Sequence, residues 1–137
     1  MSSLNGKRLF YLTAALFIVA CGLIWRWPGL HLPAPAAKYG GSILWGAMMF
    51  FVVAALLPRR ELKTIAAIAA VVSACVEFSQ LIEIGWLDAF RRTTFGALLL
   101  GRTFTWWDIL AYWVGIVGAW LTTSSASRSG RARAISK

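Results

Sequence analysis

Two carboxylates in this sequence stand inside or beside apolar stretches, where a charged side chain is costly. The first, Glu77, lies three residues before Gln80 in "VEFSQL", so the two share one face of a helix, and Ser73 extends that face by one turn. A carboxylate inside a membrane-spanning segment is expensive unless it is protonated, paired or hydrated, so its presence is itself a sign of function. The alternative is that Glu77 only accepts hydrogen bonds that hold helices together.

The second carboxylate, Asp108, comes directly before the apolar run "ILAYWVGIVGAWLT". Carboxylates are favoured in the first turn of a helix, where free N–H groups and the positive end of the macrodipole lie, so capping alone could explain it. Asp108 also shares a helical stripe with Tyr112, and this segment carries small residues that permit close approach of another helix. These small residues are Ala111, Gly115, Gly118 and Ala119. We therefore expect Asp108 to face the helix that carries Glu77.

Arginines near both carboxylates would complete a polar pocket. Arg102 precedes Asp108 by six residues, and an arginine is a natural counter-ion for a partly buried carboxylate. The predicted pocket consists of Glu77, Gln80, Arg91, Arg92, Arg102, Asp108 and Tyr112. Such a pocket could hold a phosphate or carboxylate headgroup and use Glu77 or Asp108 as a catalytic acid or base. It could equally be a closed salt-bridge network without a ligand.

The elements that must position these side chains are membrane-spanning helices. Hydrophobic residues make up 59% of the 137-residue chain and charged residues 14%, which leaves too few polar side chains to cover a water-soluble fold. A spanning helix needs about 20 mostly apolar residues. We therefore predict an all-α integral membrane protein with four transmembrane helices. The predicted spans are residues 9–25, 39–57, 64–84 and 106–122.

A shorter helix is predicted between the third and fourth spans. The stretch "DAFRRTTFGALLLG" begins with Asp88, a good N-cap residue, and ends with Gly101, a good C-cap residue. A helix over residues 88–100 would be only about 18 Å long, too short to cross the hydrocarbon, so it should be interfacial or re-entrant. Residues 124–137 are rich in Ser, Arg, Gly and Ala, which cannot bury a core, and they are predicted to form a basic, disordered tail.

The net charge of +9 raises the question of nucleic acid, but the basic residues flank the apolar segments instead of forming a helix with interleaved polar readers. No nucleic-acid partner is predicted. Cytoplasmic loops are enriched in Lys and Arg. Placing both termini and the "PRRELK" connection on one side gives nine basic residues there and five on the other side. Both termini are therefore predicted to be cytoplasmic.

Neither a metal site nor a cofactor is predicted. His31 has no ligand partner at suitable spacing, and Cys21 and Cys75 lie in separate apolar segments. The sequence contains no phosphate loop, no G-x-S-x-G motif and no Ser/His/Asp set, so standard nucleotide and hydrolase chemistry have no support.

Two segments resemble known families. The stretch "VEFSQL" followed by "GRTFTWWDILAYWVG" resembles the VanZ-like bacterial membrane proteins, whose pattern is Glu-x-x-Gln, Gly-Arg, an Asp six residues after that Arg, and a Gly in the final helix. The matching residues are Glu77, Gln80, Arg102, Asp108 and Gly115, whereas Tyr112 stands where an Asn is common. The intervening "WLDAFRRTTFGALLLG" is more similar to a related family of small inner-membrane proteins, domain-of-unknown-function family 2809.

The resemblance implies a multi-pass protein of the bacterial inner membrane with a role in the cell envelope, because VanZ itself is associated with glycopeptide resistance. The favoured hypothesis is that an outer-facing pocket binds or senses an envelope lipid or a lipid-linked precursor, for example through an anionic headgroup. One alternative is an enzyme that acts on such a lipid. Another is a non-catalytic subunit of a membrane complex, paired with a different membrane protein or with copies of itself.

Overall fold

A computed structural model describes residues 2–100 and 104–135, and these residues form six α-helices, one 3-10 turn and no strand. The helices are α1 (Ser2–Trp25), α2 (Ala34–Leu56), α3 (Leu62–Ser79), α4 (Gly85–Arg92), α5 (Thr94–Leu100) and α6 (Trp106–Ile135). Four of them, α1, α2, α3 and α6, are long and apolar enough to cross a membrane. The predicted all-helical fold with four candidate membrane spans is confirmed.

The bounds of the first three spans differ from the predicted ones, and α1 begins at Ser2 instead of residue 9. Helix α2 begins at Ala34 because Pro35, in the first turn, has a fixed backbone angle that suits a helix start. Helix α3 ends at Ser79 instead of continuing to residue 84. The Arg91 guanidinium donates to the carbonyls of Ser79 and Ile82, so these groups are satisfied without a further helical turn.

The predicted interfacial helix is divided into α4 and α5. Thr93 has an extended backbone between them, and its hydroxyl accepts a hydrogen bond from the Gly96 N–H at 3.0 Å, which makes it the N-cap of α5. Asp88 lies in the first turn of α4 instead of at its N-cap, which is Ile84. The predicted C-cap, Gly101, lies outside the described residues.

The last helix is longer than predicted. Residues 124–135, expected to be disordered, continue α6 as helix as far as the structure describes the chain. Extending an existing helix fixes one residue for each hydrogen bond gained, and the Ala and Arg residues of this segment are good helix formers.

Helix α2 is central and packs against α1, α3 and α6, and α6 also packs against α3. The α2–α6 contact is very close, because a Cβ atom at Gly46 would overlap the backbone of Tyr112 and one at Gly115 would overlap the backbone of Ile43. The prediction that Gly115 permits close approach is confirmed, with α2 as the partner helix. Gly118 was expected to contribute as well, but it faces open space because it lies on the exposed side of α6.

The apolar core lies in the middle of the bundle, and Phe50, Ile65 and Ala69 are almost completely buried there. Helix α1 is more peripheral and exposes large apolar side chains such as Phe10 and Phe17, as expected of a lipid-facing surface. The antiparallel order of the long helices places the end of α3 beside the start of α6. Glu77 and Asp108 therefore lie at the same end of the bundle.

Candidate functional site

Glu77 is the centre of a group of polar side chains at the end of the bundle where α3 ends and α6 begins. It is 0% exposed. Its Oε1 accepts a hydrogen bond from the Thr105 N–H, and its Oε2 accepts from the Tyr112 hydroxyl and from Gln80 Nε2, each at 2.9 Å. We call this group and its neighbours the polar cluster, which consists of Lys38, Ser42, Glu77, Gln80, Thr105, Asp108 and Tyr112.

The bond from Thr105 gives Glu77 a capping role. Thr105 directly precedes α6, where the backbone N–H groups have no partner within the helix. In a capping box, a glutamate of the same helix accepts from the N–H of the N-cap residue. Here the acceptor comes from α3. Glu77 thus joins the two helices through a group that every helix start must satisfy.

Asp108 joins α6 to α2. The carboxylate is 5% exposed, and it accepts a hydrogen bond from Ser42 Oγ at 2.9 Å and pairs with Lys38 Nζ at 3.4 Å. Lys38 also donates to Thr105 Oγ1 at 3.1 Å. The observed counter-ion of Asp108 is therefore Lys38, which is half-exposed, and the predicted one, Arg102, lies outside the described residues.

Asp108 was expected to face α3, the helix that carries Glu77, but its hydrogen bond and ion pair go to Ser42 and Lys38 of α2. Asp108 and Glu77 nevertheless lie at the same end of the bundle. Their carboxylates are close enough to interact electrostatically, but each is bonded to its own donors. Two like charges at short range repel, and the ammonium of Lys38 lies close enough to offset part of that repulsion. Tyr112 stands on the same stripe of α6 as Asp108 and carries the direct link to Glu77, as the helical spacing suggests.

Gln80 extends the polar cluster towards α5. Its Nε2 donates both to Glu77 and to the carbonyl of Leu100, the latter at 2.7 Å. Its Oε1 is buried without a hydrogen-bond partner among the described residues. Gln80 therefore links the end of α3 to the short helices, and one acceptor site remains unused by them.

The arginines of α4 do not join the polar cluster. Arg91 is 5% exposed, and its guanidinium donates to the carbonyls of Ser79 and Ile82 and pairs with Asp88 at 3.2 Å. Its two terminal nitrogens fix the turn after α3, whereas its Nε is buried without a hydrogen-bond partner among the described residues. Arg92 is exposed on the surface of α4. Of the predicted pocket, the structure brings together Glu77, Gln80, Asp108 and Tyr112.

Three members of the polar cluster were not predicted from the sequence, namely Lys38, Ser42 and Thr105. Lys38 and Ser42 are four residues apart in "KYGGS", so they lie on one face of α2. This spacing was a usable signal, but Lys38 was counted only among the five basic residues on the side opposite the termini. Thr105 contributes its backbone N–H, and nothing in its side-chain type indicates that role.

An apolar cavity of about 210 Å³ lies between α1 and α2 beside the polar cluster. Arg26 lines it and lies across Gly41, where a Cβ atom would be 2.6 Å from Arg26 Nε. Trp45 also lines it, and the Trp45 ring is 4.7 Å from that of Tyr112, so one side chain touches both cavity and cluster. The remaining lining residues are Ile18, Val19, Gly22, Leu23, Leu44, Met48 and Phe95.

A family model described as a protein of unknown function, DUF2809, matches residues 31–116 of this chain. The chain belongs to the DUF2809 family. No solved structure matches it significantly. The range shared with the DUF2809 model contains every member of the polar cluster, whereas Arg26 and the α1 residues that line the apolar cavity precede it.

The DUF2809 polar cluster differs from a metal centre. Within residues 2–100 and 104–135, no three His, Cys, Asp or Glu side chains lie close enough together to hold a metal ion. Both carboxylates are instead surrounded by hydrogen-bond donors, which stabilise negative charge in a buried position. The arrangement can hold α2, α3 and α6 together and presents two cations, Lys38 and Arg26, at the end of the bundle.

Proposed function

We propose that this DUF2809 protein binds or senses an anionic envelope lipid or a lipid-linked precursor at the end of the bundle that holds the polar cluster. The observation that carries the proposal is the position of Arg26 on an apolar cavity next to that cluster. In this arrangement Arg26 contacts a phosphate of the headgroup and the cavity takes part of the lipid chain. The polar cluster keeps the surrounding helices in register.

Arg26 is suited to this role because its guanidinium forms no ion pair within the described part of the protein. The ion pairs there are Lys38–Asp108 and Arg91–Asp88. Arg26 is exposed, and a guanidinium can donate two parallel hydrogen bonds to a phosphate. Lipid tails are as apolar as the cavity wall, so the cavity contributes shape selection and the headgroup contributes most of the affinity.

The proposal places the protein in a bacterial inner membrane with both termini in the cytoplasm. The orientation rests on the distribution of basic residues, nine on the side of the termini and five on the other. Arg26 and the polar cluster would then face the outer leaflet, where envelope precursors are displayed. A reporter fused to the C-terminus tests this orientation, and a periplasmic signal would transfer the site to the inner leaflet.

Binding is favoured over catalysis by the burial of both carboxylates. A catalytic acid or base must come within hydrogen-bond distance of the group that it protonates or deprotonates. Glu77 is fully buried with both oxygens bonded, and Asp108 is held by Ser42 and Lys38. An enzyme acting on the same lipid would predict that Glu77→Gln folds normally and accumulates unprocessed substrate.

The headgroup contact is tested with Arg26→Gln, and Arg92→Gln is the matched control. Both substitutions remove one exposed arginine at the same end of the bundle, and Arg92 does not line the cavity. We expect an anionic lipid that co-purifies with the wild type in mild detergent to fall about tenfold in Arg26→Gln, because a charge-assisted bond is lost. Quantitative lipid mass spectrometry measures it. Equal lipid content in both variants would rule out the Arg26 contact.

The same measurement on Gly22→Leu tests the contact between the cavity and the acyl chain of the lipid. Gly22 lines the cavity, and a Cβ atom there meets nothing within 4 Å, so leucine can fill the space without moving a helix. Gly118→Leu is the control, because Gly118 has the same open surroundings outside the cavity. Only Gly22→Leu should lose the lipid. If both variants retained the lipid, its acyl chain would have to lie outside this cavity.

A further inference from the structure

A second cavity, of about 380 Å³, lies at the opposite end of the bundle, between the start of α1 and the turn that joins α2 to α3. Its lining combines apolar side chains with three arginines from two separate parts of the chain. The lining residues are Leu4, Asn5, Arg8, Leu56, Leu57, Pro58, Arg59 and Arg60. We call it the arginine cavity.

The charges of the arginine cavity are not compensated within the described residues. No carboxylate lines it, and neither of the ion pairs found there includes Arg8, Arg59 or Arg60. The nearest acidic residue in sequence, Glu61, directly precedes α3 and is exposed. Like charges that share a small space repel one another, so this convergence favours an anionic partner.

The rule that basic residues collect on one side of a membrane explains the sign of these charges but not their convergence. Arg59 and Arg60 are neighbours in sequence, whereas Arg8 is supplied by α1. The packing of α1 against α2 is what brings the three to one cavity. A purely topological role would be served equally well by arginines spread around the end of the bundle.

We propose that the arginine cavity binds the phosphate of an anionic phospholipid headgroup. The cavity lies at the ends of two candidate membrane spans, where headgroup phosphates are found. Guanidinium groups bind phosphate through paired hydrogen bonds, and basic pockets between membrane helices are known to select anionic headgroups. The leucines of the lining suit the glycerol and the first chain carbons, and Asn5 adds a neutral donor. This site is independent of the function proposed above, because it uses different residues at the other end.

The test is a lipid titration of the full-length protein in detergent, followed by native mass spectrometry. Phosphatidylglycerol is compared with phosphatidylcholine of the same chains. The test variant is Arg8→Gln with Arg60→Gln, and the matched control is Lys7→Gln with Lys63→Gln. The control residues are near in sequence and remove the same charge, but they do not line the cavity. We expect binding of phosphatidylglycerol to weaken roughly 30-fold in the arginine variant and to change little in the control.

Two outcomes of this titration would overturn the proposal. Equal losses in the two double variants would show that surface charge in general, and not the cavity, attracts the lipid. Equal binding of phosphatidylglycerol and phosphatidylcholine by the wild type would show that no anionic headgroup is selected. The Arg26→Gln variant in the same titration separates the two sites, because it should lose the lipid of the polar-cluster end and keep this one.

A conservative variant keeps the test valid if the arginine variant does not fold. Arg8→Lys with Arg60→Lys preserves both charges but not the planar guanidinium, so we expect weaker phosphatidylglycerol binding with an unchanged unfolding temperature. Unchanged binding would contradict recognition by the arginine fork. Inorganic phosphate and glycerol phosphate serve as competitors. Full competition by either compound would show that the cavity binds a soluble phosphate, which would overturn the proposal of a lipid ligand. Failure of both to compete would support a lipid ligand.

Discussion

The two ends of the helical bundle carry charge in opposite ways. At one end, Glu77 and Asp108 are buried and surrounded by donors from α2, from α6 and from the segments that follow α3 and precede α6. At the other end, the three arginines of the arginine cavity lack any carboxylate partner in the described chain. Charge that is satisfied internally contributes to holding the helices together. Charge that is left unsatisfied is available to a ligand.

This difference separates stability from binding in the effects of mutations. Changes in the polar cluster leave buried donors without acceptors, so they should lower the stability of the bundle. Changes in the arginine cavity remove groups that repel one another, so they should leave stability nearly unaltered and reduce lipid binding instead. The following variants test this division, beginning with the contact that brings the polar cluster together.

Gly115→Leu should have the largest effect. The α2–α6 crossing has no space for a side chain at Gly115, because even a Cβ atom would overlap the backbone of Ile43. Separating the helices would also pull Asp108 away from Ser42. We expect a loss of more than about 3 kcal/mol of stability, seen as poor accumulation and a low apparent unfolding temperature.

The matched control is Gly118→Leu, which adds the same side chain to the exposed face of α6 where a Cβ atom meets nothing. It should accumulate and unfold like the wild type. If both variants were equally destabilised, added bulk on α6 would be harmful in general and the close crossing would not be the cause.

Glu77→Ala should have the next largest effect. The substitution leaves the Thr105 N–H, the Tyr112 hydroxyl and Gln80 Nε2 without their acceptor in a buried position. We expect a loss of about 3 kcal/mol, because each unsatisfied buried donor carries a desolvation penalty. Apparent unfolding temperature in detergent measures it. Glu83→Ala, at an exposed glutamate after α3, is the control, and a smaller loss at Glu77 than at Glu83 would refute a structural role of the cluster.

Much of the fold and part of the site could be predicted because the signals are local. Runs of apolar residues define the four spans by length, and helical spacing alone places Gln80 on the face of Glu77 and Tyr112 on that of Asp108. The presence of Gly115 in a small-residue segment likewise predicted a close helix contact. These inferences need only residues within a few turns of one another.

The remaining features depend on pairing between distant parts of the chain. Lys38 and Ser42 meet Asp108 only because α2 packs parallel to α6 with their starts side by side, and a sequence pattern does not specify which helices become neighbours. Arg91 was assigned to the pocket for its charge, whereas the carbonyls exposed at the end of α3 engage it. Both cavities arise from the packing of α1 on α2, which no local signal in either helix describes.

Asp108→Asn should have the smallest effect on stability among the three test variants, and that effect has a single cause, the loss of one charge. An asparagine can still accept the hydrogen bond from Ser42, but it lacks the charge that pairs with Lys38. Because Lys38 is half-exposed, the ion pair is partly screened, and we expect a loss of about 0.5–1 kcal/mol. The control Asp88→Asn removes the other ion pair, whose carboxylate is more exposed, and should cost less. The difference between wild type and Asp108→Asn should shrink in high salt. A loss of stability as large as that of Glu77→Ala would instead mean that the two carboxylates form one cooperative unit. The polar cluster would then act as a single buried network, and no part of it could be assigned to one carboxylate alone.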